Sequence, residues 1–263
     1  MRSRSLLLVL KTNLRKYTIR PLKILLNRGT DFICPFCHYS SKKPEARNNL
    51  KPVLQKYQIA GDFQGYKCFK CGSKASERLL YVLLRDYFEV FSPGANQISF
   101  LHIAPEKHLT KLLQKANLKE YAAGALHEEG YYYEDYVQNI DITNIHQYGD
   151  EHFDFLLCCH VLEHVPDDLK AMRELRRVLK TGGKAILQVP ISQNTQVTYE
   201  DFSITDPKEK DKAFGQWDHV RVYGQDYVNR LETAGFKVHR FNLYEKYPKM
   251  GLNPHEDVFM VEK

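Results

Sequence analysis

From residue 95 onward, short blocks of continuous apolar residues alternate with longer stretches in which apolar positions recur every three or four residues. The blocks ISFLHI (98–103), YAAGAL (121–126), VQNIDI (137–142), FDFLLCCH (153–160) and KAILQVP (184–190) have the length and composition of buried strands. Between them, EKHLTKLLQKAN (106–117) and DDLKAMRELRRVLK (167–180) are spaced as helices. In the second, Leu169, Met172, Leu175, Val178 and Leu179 mark one face, and Gly182-Gly183 predicts its end. A third helix, GQDYVNRLETAG (224–235), closes at Gly235. Two last strand-like runs, FKVHRFNLY (236–244) and DVFMVEK (257–263), follow with no obvious helix between them. This alternation predicts an α/β fold, a mostly parallel sheet with helices on both faces, finished by a terminal antiparallel hairpin.

The front of the chain breaks the pattern. GSKASERLLYVLLRDYFEVF reads as a linking helix within 73–94: Ser73 can cap it, Leu79, Leu80, Leu83, Leu84, Tyr87 and Phe88 give it an apolar face, and Ser92-Pro93-Gly94 stops it. Before it lie two Cys-x-x-Cys knuckles, CPFC with Cys34 and Cys37, and CFKC with Cys68 and Cys71. Four thiolates at this spacing close a tetrahedron around Zn2+ and leave no open position for chemistry, so residues 31–72 are read as a structural zinc-ribbon-like module. The spacer between the knuckles has too few apolar residues for a core of its own, so metal must supply much of its stability. Disulfides are the competing reading, and His38 could replace a thiolate, but a complete set of four cysteines makes that unnecessary. Cys158 and Cys159 sit in an apolar strand and are read as core.

With 263 residues, 43% of them hydrophobic and 12% aromatic, the chain can fill one substantial core and a smaller module. Its net charge of +6 is unevenly spread, for residues 1–30 hold eight Lys or Arg and no acid, whereas residues 91–263 are net negative. A polyanion or anionic surface would therefore meet the front third. The opening apolar run is shorter than a signal-peptide core, no segment reaches membrane-spanning length, and a cytoplasmic location is expected. Residues 6–26 alternate apolar and basic positions at helical spacing, interrupted at Pro21. This segment either packs on the protein's own surface or makes a peripheral membrane contact on an anionic bilayer.

The stretch FDFLLCCHVLEHVPDDLKAMRELRRVLKTGGKAILQVP resembles the region around the fourth and fifth strands of class I S-adenosylmethionine-dependent methyltransferases, of the type 11-like kind, with its H-x-L-E-H and terminal L-K-x-G-G. The later HVRVYGQDYVNRLETAGFKV is similar to the same family, and the resemblance covers about residues 95–263. It implies a Rossmann-like seven-stranded sheet with S-adenosyl-L-methionine lying across the carboxyl ends of the strands. It places FLHIAPEKHL in the cofactor turn, where the family has an acid followed by glycines. Here His102 stands for the acid, and Ala104, Pro105 and Glu106 stand where glycines are expected. Ala104 is small enough to admit the cofactor, Pro105 stiffens the turn, and Glu106 could accept from the cofactor's ammonium.

At the end of the second strand, where the family has an acid for the ribose hydroxyls, Ala125 stands instead, with Glu128 and Glu129 downstream as substitutes. Asp141, with Ile142 beside it, matches the position that contacts the adenine amino group; a turn aspartate is the alternative. Backbone near His160 would line the methionine side. Glu163 is either structural or catalytic, and His164 could orient an acceptor or take its proton. Acceptor groups should come from the long segment after the fifth strand, with Tyr199, Glu200, Asp201, Trp217, His219, Arg221 and Tyr223 as candidates. His219 with Asp218 is the first choice for base or acceptor orientation and His164 the second, while His219 and Arg221 could instead pin the loop.

The methyl acceptor is not written in the sequence. A sugar or other small polar molecule at a membrane surface suits the basic front; RNA methylation, with phosphates held by residues such as Lys42, Lys43 and Lys70, is the second reading. A zinc-binding scaffold that has lost its cofactor is the third, motivated by Ala125.

Overall fold

A computed structural model of the chain describes residues 19–46, 51–59, 65–129 and 132–263. The expected amphipathic segment 6–26 therefore lies for its greater part outside the described residues. The chain forms two compact units, neither of them continuous in sequence. One takes the described residues of 1–48, 63–81 and 243–254; the other takes those of 49–62, 82–242 and 255–263. The connection between the last two strands thus belongs to the cysteine-bearing unit.

The larger unit is built on a seven-stranded sheet. Its strands are β1 (Ser99–Ile103), β2 (Glu120–Ala125), β3 (Val137–Asn139), β4 (Phe153–Cys159), β5 (Leu179–Gln188), β6 (Lys237–Asn242) and β7 (Asp257–Glu262). Their spatial order is β3-β2-β1-β4-β5-β7-β6. Strands β1 to β5 pair in parallel, while β7 runs antiparallel to both β5 and β6. The order reverses between β1 and β4, so their carboxyl ends flank the crevice in which open α/β sheets bind ligands.

All five residues of β1 are buried, as a central parallel strand covered on both faces requires. In helix Asp168–Val178, the Asp167 side chain accepts from Lys170 N at 2.9 Å, capping the first turn. Ala171, Met172, Leu175 and Val178 on that helix enter the core with Leu101, Ile103, Leu156, Cys158 and Leu187 from the sheet. Cys158 and Cys159 are buried, and desolvation pushes both thiols up, as inert core cysteines behave. The helix stops two residues earlier than its periodicity suggests. Leu179 already pairs with Phe153, and Gly182-Gly183 turns the chain inside β5 rather than ending the helix. Gly182 has φ of +76°, and a Cβ on Gly183 would come within 2.8 Å of the Lys180 carbonyl.

In the cysteine-bearing unit, antiparallel pairs Arg28–Ile33 with Ser40–Ser41 and Glu45–Ala46 with Gly65–Lys67 carry the two knuckles. The knuckles repeat one another. His38 N donates to Cys34 O and Gly72 N to Cys68 O, both at 2.9 Å, and His38 and Gly72 both take positive φ. Arg78 is fully buried and donates to the carbonyls of Ser73, Met250 and Gly251, each at 2.7 Å, which ties the 243–254 excursion into the unit. Pro21 lies in the first turn of helix Arg20–Leu26, where its missing N–H costs nothing. No helix among the described residues is long and apolar enough to cross a membrane.

Candidate functional site

The crevice between β1 and β4 is bounded by two residues in a conformation that side chains disfavour. Ala104, directly after β1, has φ of +49°, and His160, directly after β4, has φ of +56°. Each is held there by a backbone bond to the neighbouring strand: Ala104 N donates to Gly124 O and His160 N to Gln188 O, both at 2.8 Å. Strain of this kind is retained where surrounding structure imposes it, and it concentrates at ligand sites. Ala104 is exposed, so the turn presents backbone and a single methyl group to the crevice.

Beneath this turn His102 is wholly buried, with Nε2 2.6 Å from Glu106 Oε2 and Nδ1 3.0 Å from the Tyr121 hydroxyl. A neutral imidazole satisfies both contacts, donating to the carboxylate from Nε2 and accepting the phenol proton at Nδ1. Glu106 is the residue just before helix Lys107–Leu113. Its carboxylate is thereby brought back beneath the turn that an acid at position 102 would occupy, and one of its two oxygens is committed to His102. Pro105 lies between Ala104 and Glu106, half-buried.

At the end of β2, Ala125 is half-buried and Leu126 exposed. Gly124 is required because a Cβ there would lie 2.3 Å from Ile140 Cδ1. Glu128 and Glu129 are exposed in the following loop, which is shaped by His127 stacking on Tyr133 and by Glu128 N donating to the Tyr133 hydroxyl. Asp141 is exposed, and its Oδ1 accepts from both the N–H and the hydroxyl of Thr143 at 2.8 Å, so one oxygen serves a local turn. Ile142 beside it is buried in the core.

After β4 comes the single turn Leu162–His164. Glu163 is only 2% exposed; Oε1 lies 3.6 Å from His160 Nδ1, and Oε2 is buried without a hydrogen-bond partner among the described residues. Opposite it stand Asp218 and His219. Asp218 Oδ2 is 3.1 Å from His164 Nδ1, Oδ1 is buried and likewise without a partner among the described residues, and the His164 and His219 rings meet edge to face at 4.6 Å. Val220 N donates to Glu163 O at 3.0 Å and sets the two segments in register. The structure thus brings His164, Asp218 and His219 together, with Glu163 as the hub between them.

Desolvation opposes a charge on Glu163, but the bond and charge of His160 and the nearby His164 and His219 outweigh it and hold its pKa below the usual carboxylate value. Desolvation likewise opposes an imidazolium at His160, yet Glu163 raises that pKa. Burial lowers the pKa of His219 and keeps it neutral, as a base or a lone-pair donor must be.

Arg221, expected near the chemistry, is placed otherwise. It is fully buried, and its guanidinium donates to Leu162 O, Val165 O and Pro166 O at 2.9, 2.5 and 2.8 Å and to Glu200 Oε2 at 2.9 Å. These bonds fix the backbone that carries Glu163 and His164. Tyr223 also turns inward, donating to Asp168 Oδ2 at 2.7 Å, and Asp168 is paired with Arg230. Glu200 joins Arg221 and Arg230, and Asp201 accepts from Ser203 in a turn. Tyr199, Phe202 and Trp217 remain exposed on this segment. Residues 51–59 support it: Tyr57 stacks on Tyr199, and the carbonyls of Lys56 and Tyr57 accept from the side chains of Asn194 and Ser192.

In the cysteine-bearing unit the four cysteines are free thiols, with Cys34 Sγ 3.5 Å from Cys71 Sγ and Cys37 Sγ 3.7 Å from Cys68 Sγ. Four sulfurs about 2.3 Å from a central ion would lie about 3.8 Å apart, so the cluster fits a tetrahedral metal site rather than two disulfides. His38 is exposed and outside it.

The sheet order and the crevice at β1 and β4 define a doubly wound α/β domain that takes its ligand at the strand ends. Residues 94–187 match the family described as a methyltransferase domain. That part of the chain, which holds β1 to β5, is thus similar to a methyltransferase domain. Similar solved structures include an S-adenosylmethionine-dependent methyltransferase from Archaeoglobus fulgidus (16% identity, 73% of this chain and 95% of that one, TM-score 0.45). Another, from Mesorhizobium loti, is 13% identical over 68% of this chain and 97% of that one, with a TM-score of 0.43. The [4+2]-cyclase SpnF is 13% identical over 81% and 92%, with a TM-score of 0.50, a likeness of fold. Among curated proteins there is no match to the chain.

Proposed function

We propose that the protein transfers a methyl group from S-adenosylmethionine to a small polar acceptor, a sugar or a related hydroxyl compound, received under the segment that follows β5. The observation that carries this reading is the pair of strained residues, Ala104 and His160, on either side of the β1/β4 crevice of a methyltransferase domain. The residues fit the cofactor: Ala104 leaves room for it, the Glu106 carboxylate lies below the turn, and no phosphate cradle is needed for a ligand without phosphate. The cofactor supplies an electrophilic methyl on a sulfonium. The protein's part is to align the acceptor and, where the acceptor is a hydroxyl, to receive its proton. His219, neutral and beside Asp218 and His164, is the group for that task, with His164 held by Asp218 behind it.

The front is proposed to hold a structural zinc ion through Cys34, Cys37, Cys68 and Cys71. Helix Arg20–Leu26 exposes Leu22, Leu25 and Leu26 beside Arg20 and Lys23, which suits peripheral contact with an anionic bilayer near a membrane-borne acceptor. Titration calorimetry with S-adenosylmethionine and its demethylated product tests the enzymatic reading. Saturable binding of both is expected, and no heat at millimolar cofactor would leave a scaffold. Salt-dependent RNA binding through the exposed lysines of the knuckles would instead favour an RNA acceptor.

A further inference from the structure

The Glu163, His164 and His219 cluster has features that acid–base chemistry alone does not use. One ligand-type atom from each of the three lies within 4.8 Å of the others. Glu163 is nearly fully buried, yet among the described residues its Oε2 has no hydrogen-bond partner, and neither has the buried Asp218 Oδ1 on the opposite wall. His160 meets only the other Glu163 oxygen, Oε1. Arg221 gives its bonds to loop carbonyls and Glu200. Orphaned carboxylate oxygens in a buried site are costly unless a cation meets them.

We infer that Glu163, His164 and His219 bind a divalent first-row transition ion at the carboxyl end of β4, separate from the four-cysteine site. Such ions hold imidazole nitrogen and carboxylate oxygen at about 2.0–2.2 Å, so ligand atoms around one ion lie about 3–4 Å apart. Small side-chain rotations close the present spacing to that range. Two imidazoles and one carboxylate make an open, nitrogen- and oxygen-rich donor set, which suits zinc, cobalt or iron(II) and leaves positions for a further oxygen ligand. The outer shell is already in place. His164 Nδ1 lies 3.1 Å from Asp218 Oδ2, a spacing at which the carboxylate can orient the ring and leave the Nε2 lone pair for the ion, the arrangement common to metal-bound histidines.

The site stands on this geometry alone; its role rests on the proposed methyl transfer. With the ion bound, His219 serves as a ligand in place of the base, and an acceptor hydroxyl on the ion would lose its proton to water more readily. The oxygen lone pair then forms the O–CH3 bond while the C–S pair stays on sulfur, which leaves as a neutral thioether.

The test uses full-length protein with zinc already in the thiolate site and no cofactor present. Co2+ is added, unbound metal is removed by dialysis, and zinc and cobalt are both counted. One cobalt per chain, with zinc retained and X-ray absorption showing imidazole and no sulfur around cobalt, is the expected result. Glu163→Gln and His219→Ala should each lose the cobalt and keep the zinc, while Asp218→Asn should bind it about 10- to 100-fold more weakly. No retained cobalt in the unaltered protein, or cobalt surrounded by sulfur, overturns the inference whatever the variants do. So does retention of cobalt in both ligand variants. Since no cofactor enters the measurement, these outcomes leave the methyl-transfer reading to its own calorimetric test.

Discussion

At the scale of single residues the most telling position is Ala104. A non-glycine residue at φ of +49° carries steric strain that glycine does not, and the backbone bond to Gly124 O prevents relaxation. Ala104→Gly should therefore raise stability by about 0.5–1 kcal/mol in denaturant unfolding and preserve cofactor binding. Ala104→Val should abolish binding measured by calorimetry, because a β-branched side chain tolerates this conformation poorly and fills the crevice. If the valine variant binds as well as the original, the crevice at β1 is not the cofactor site. The position of this turn is legible from its place between an apolar run and a helix. The strain is not, since composition does not reveal φ. Likewise His102 and Glu106 can be assigned separately from the sequence, but their 2.6 Å contact needs the turn at Ala104 and Pro105 that brings residue 106 back to residue 102.

Between elements, the segment after β5 is held by a buried ionic network as well as by the apolar packing of Ile191, Phe214, Val220 and Val222. Arg221 bonds three successive parts of the 162–166 turn, and Asp168 joins Tyr223 to Arg230. Arg221→Ala takes the guanidinium from Val165 O and Pro166 O, leaves Glu200 to Arg230 alone, and should cost about 3–5 kcal/mol. Activity should fall through misplacement of Glu163 and His164, and a melting curve unchanged within error would refute the pinning role. Desolvation acts against the Asp168 carboxylate, but the bond from Arg230 and the charge of Arg221 hold its folded pKa below the ordinary 3.8. Its contribution is thus complete above about pH 4 and is lost as pH falls through the lower folded value. Asp168→Asn should be less stable at pH 7, and its stability should fall less steeply than the original's below pH 4. The sequence marked Arg221 as chemically important because it stands beside Asp218 and His219. It could not separate contact with substrate from support of a turn some 55–59 residues away, since the bonds depend on how Arg221–Val222 pairs with Tyr199–Glu200. The helix and strand alternation was readable almost throughout, with boundaries displaced where strand pairing claimed helix-like residues such as Leu179.

Over the whole molecule the two units share the chain without dividing it into consecutive pieces, and here the sequence was least informative. Residues 243–254 continue an apolar strand and precede another, so they read as a hairpin connection; in the structure they belong to the cysteine-bearing unit, where Arg78 binds the carbonyls of Met250 and Gly251. A Cβ on Gly251 would lie 2.8 Å from the Phe32 ring, so this excursion is fitted closely to the first knuckle strand. Around the knuckles the apolar cluster is small: Phe32, Tyr39 and Phe69 with the cysteines, and Ile24 and Phe36 packed against them, while Leu79, Leu80, Leu243 and Leu252 are buried elsewhere in the unit. A cluster of this size does little to hold the knuckles, so a metal on the four thiolates should account for most of their stability. Removal of zinc by a chelator under reducing conditions should therefore release amide protection in 28–46, 65–74 and 245–252 together. The amides of β1 and β4 should stay protected, because their hydrogen bonds lie in the buried centre of the other unit's sheet. Hydrogen exchange read by mass spectrometry resolves these segments. Simultaneous loss in 28–46 and 245–252, some 200 residues apart, would show that one metal organises both ends of the chain; unchanged protection in 245–252 after the zinc has left would show that the excursion holds its place without it.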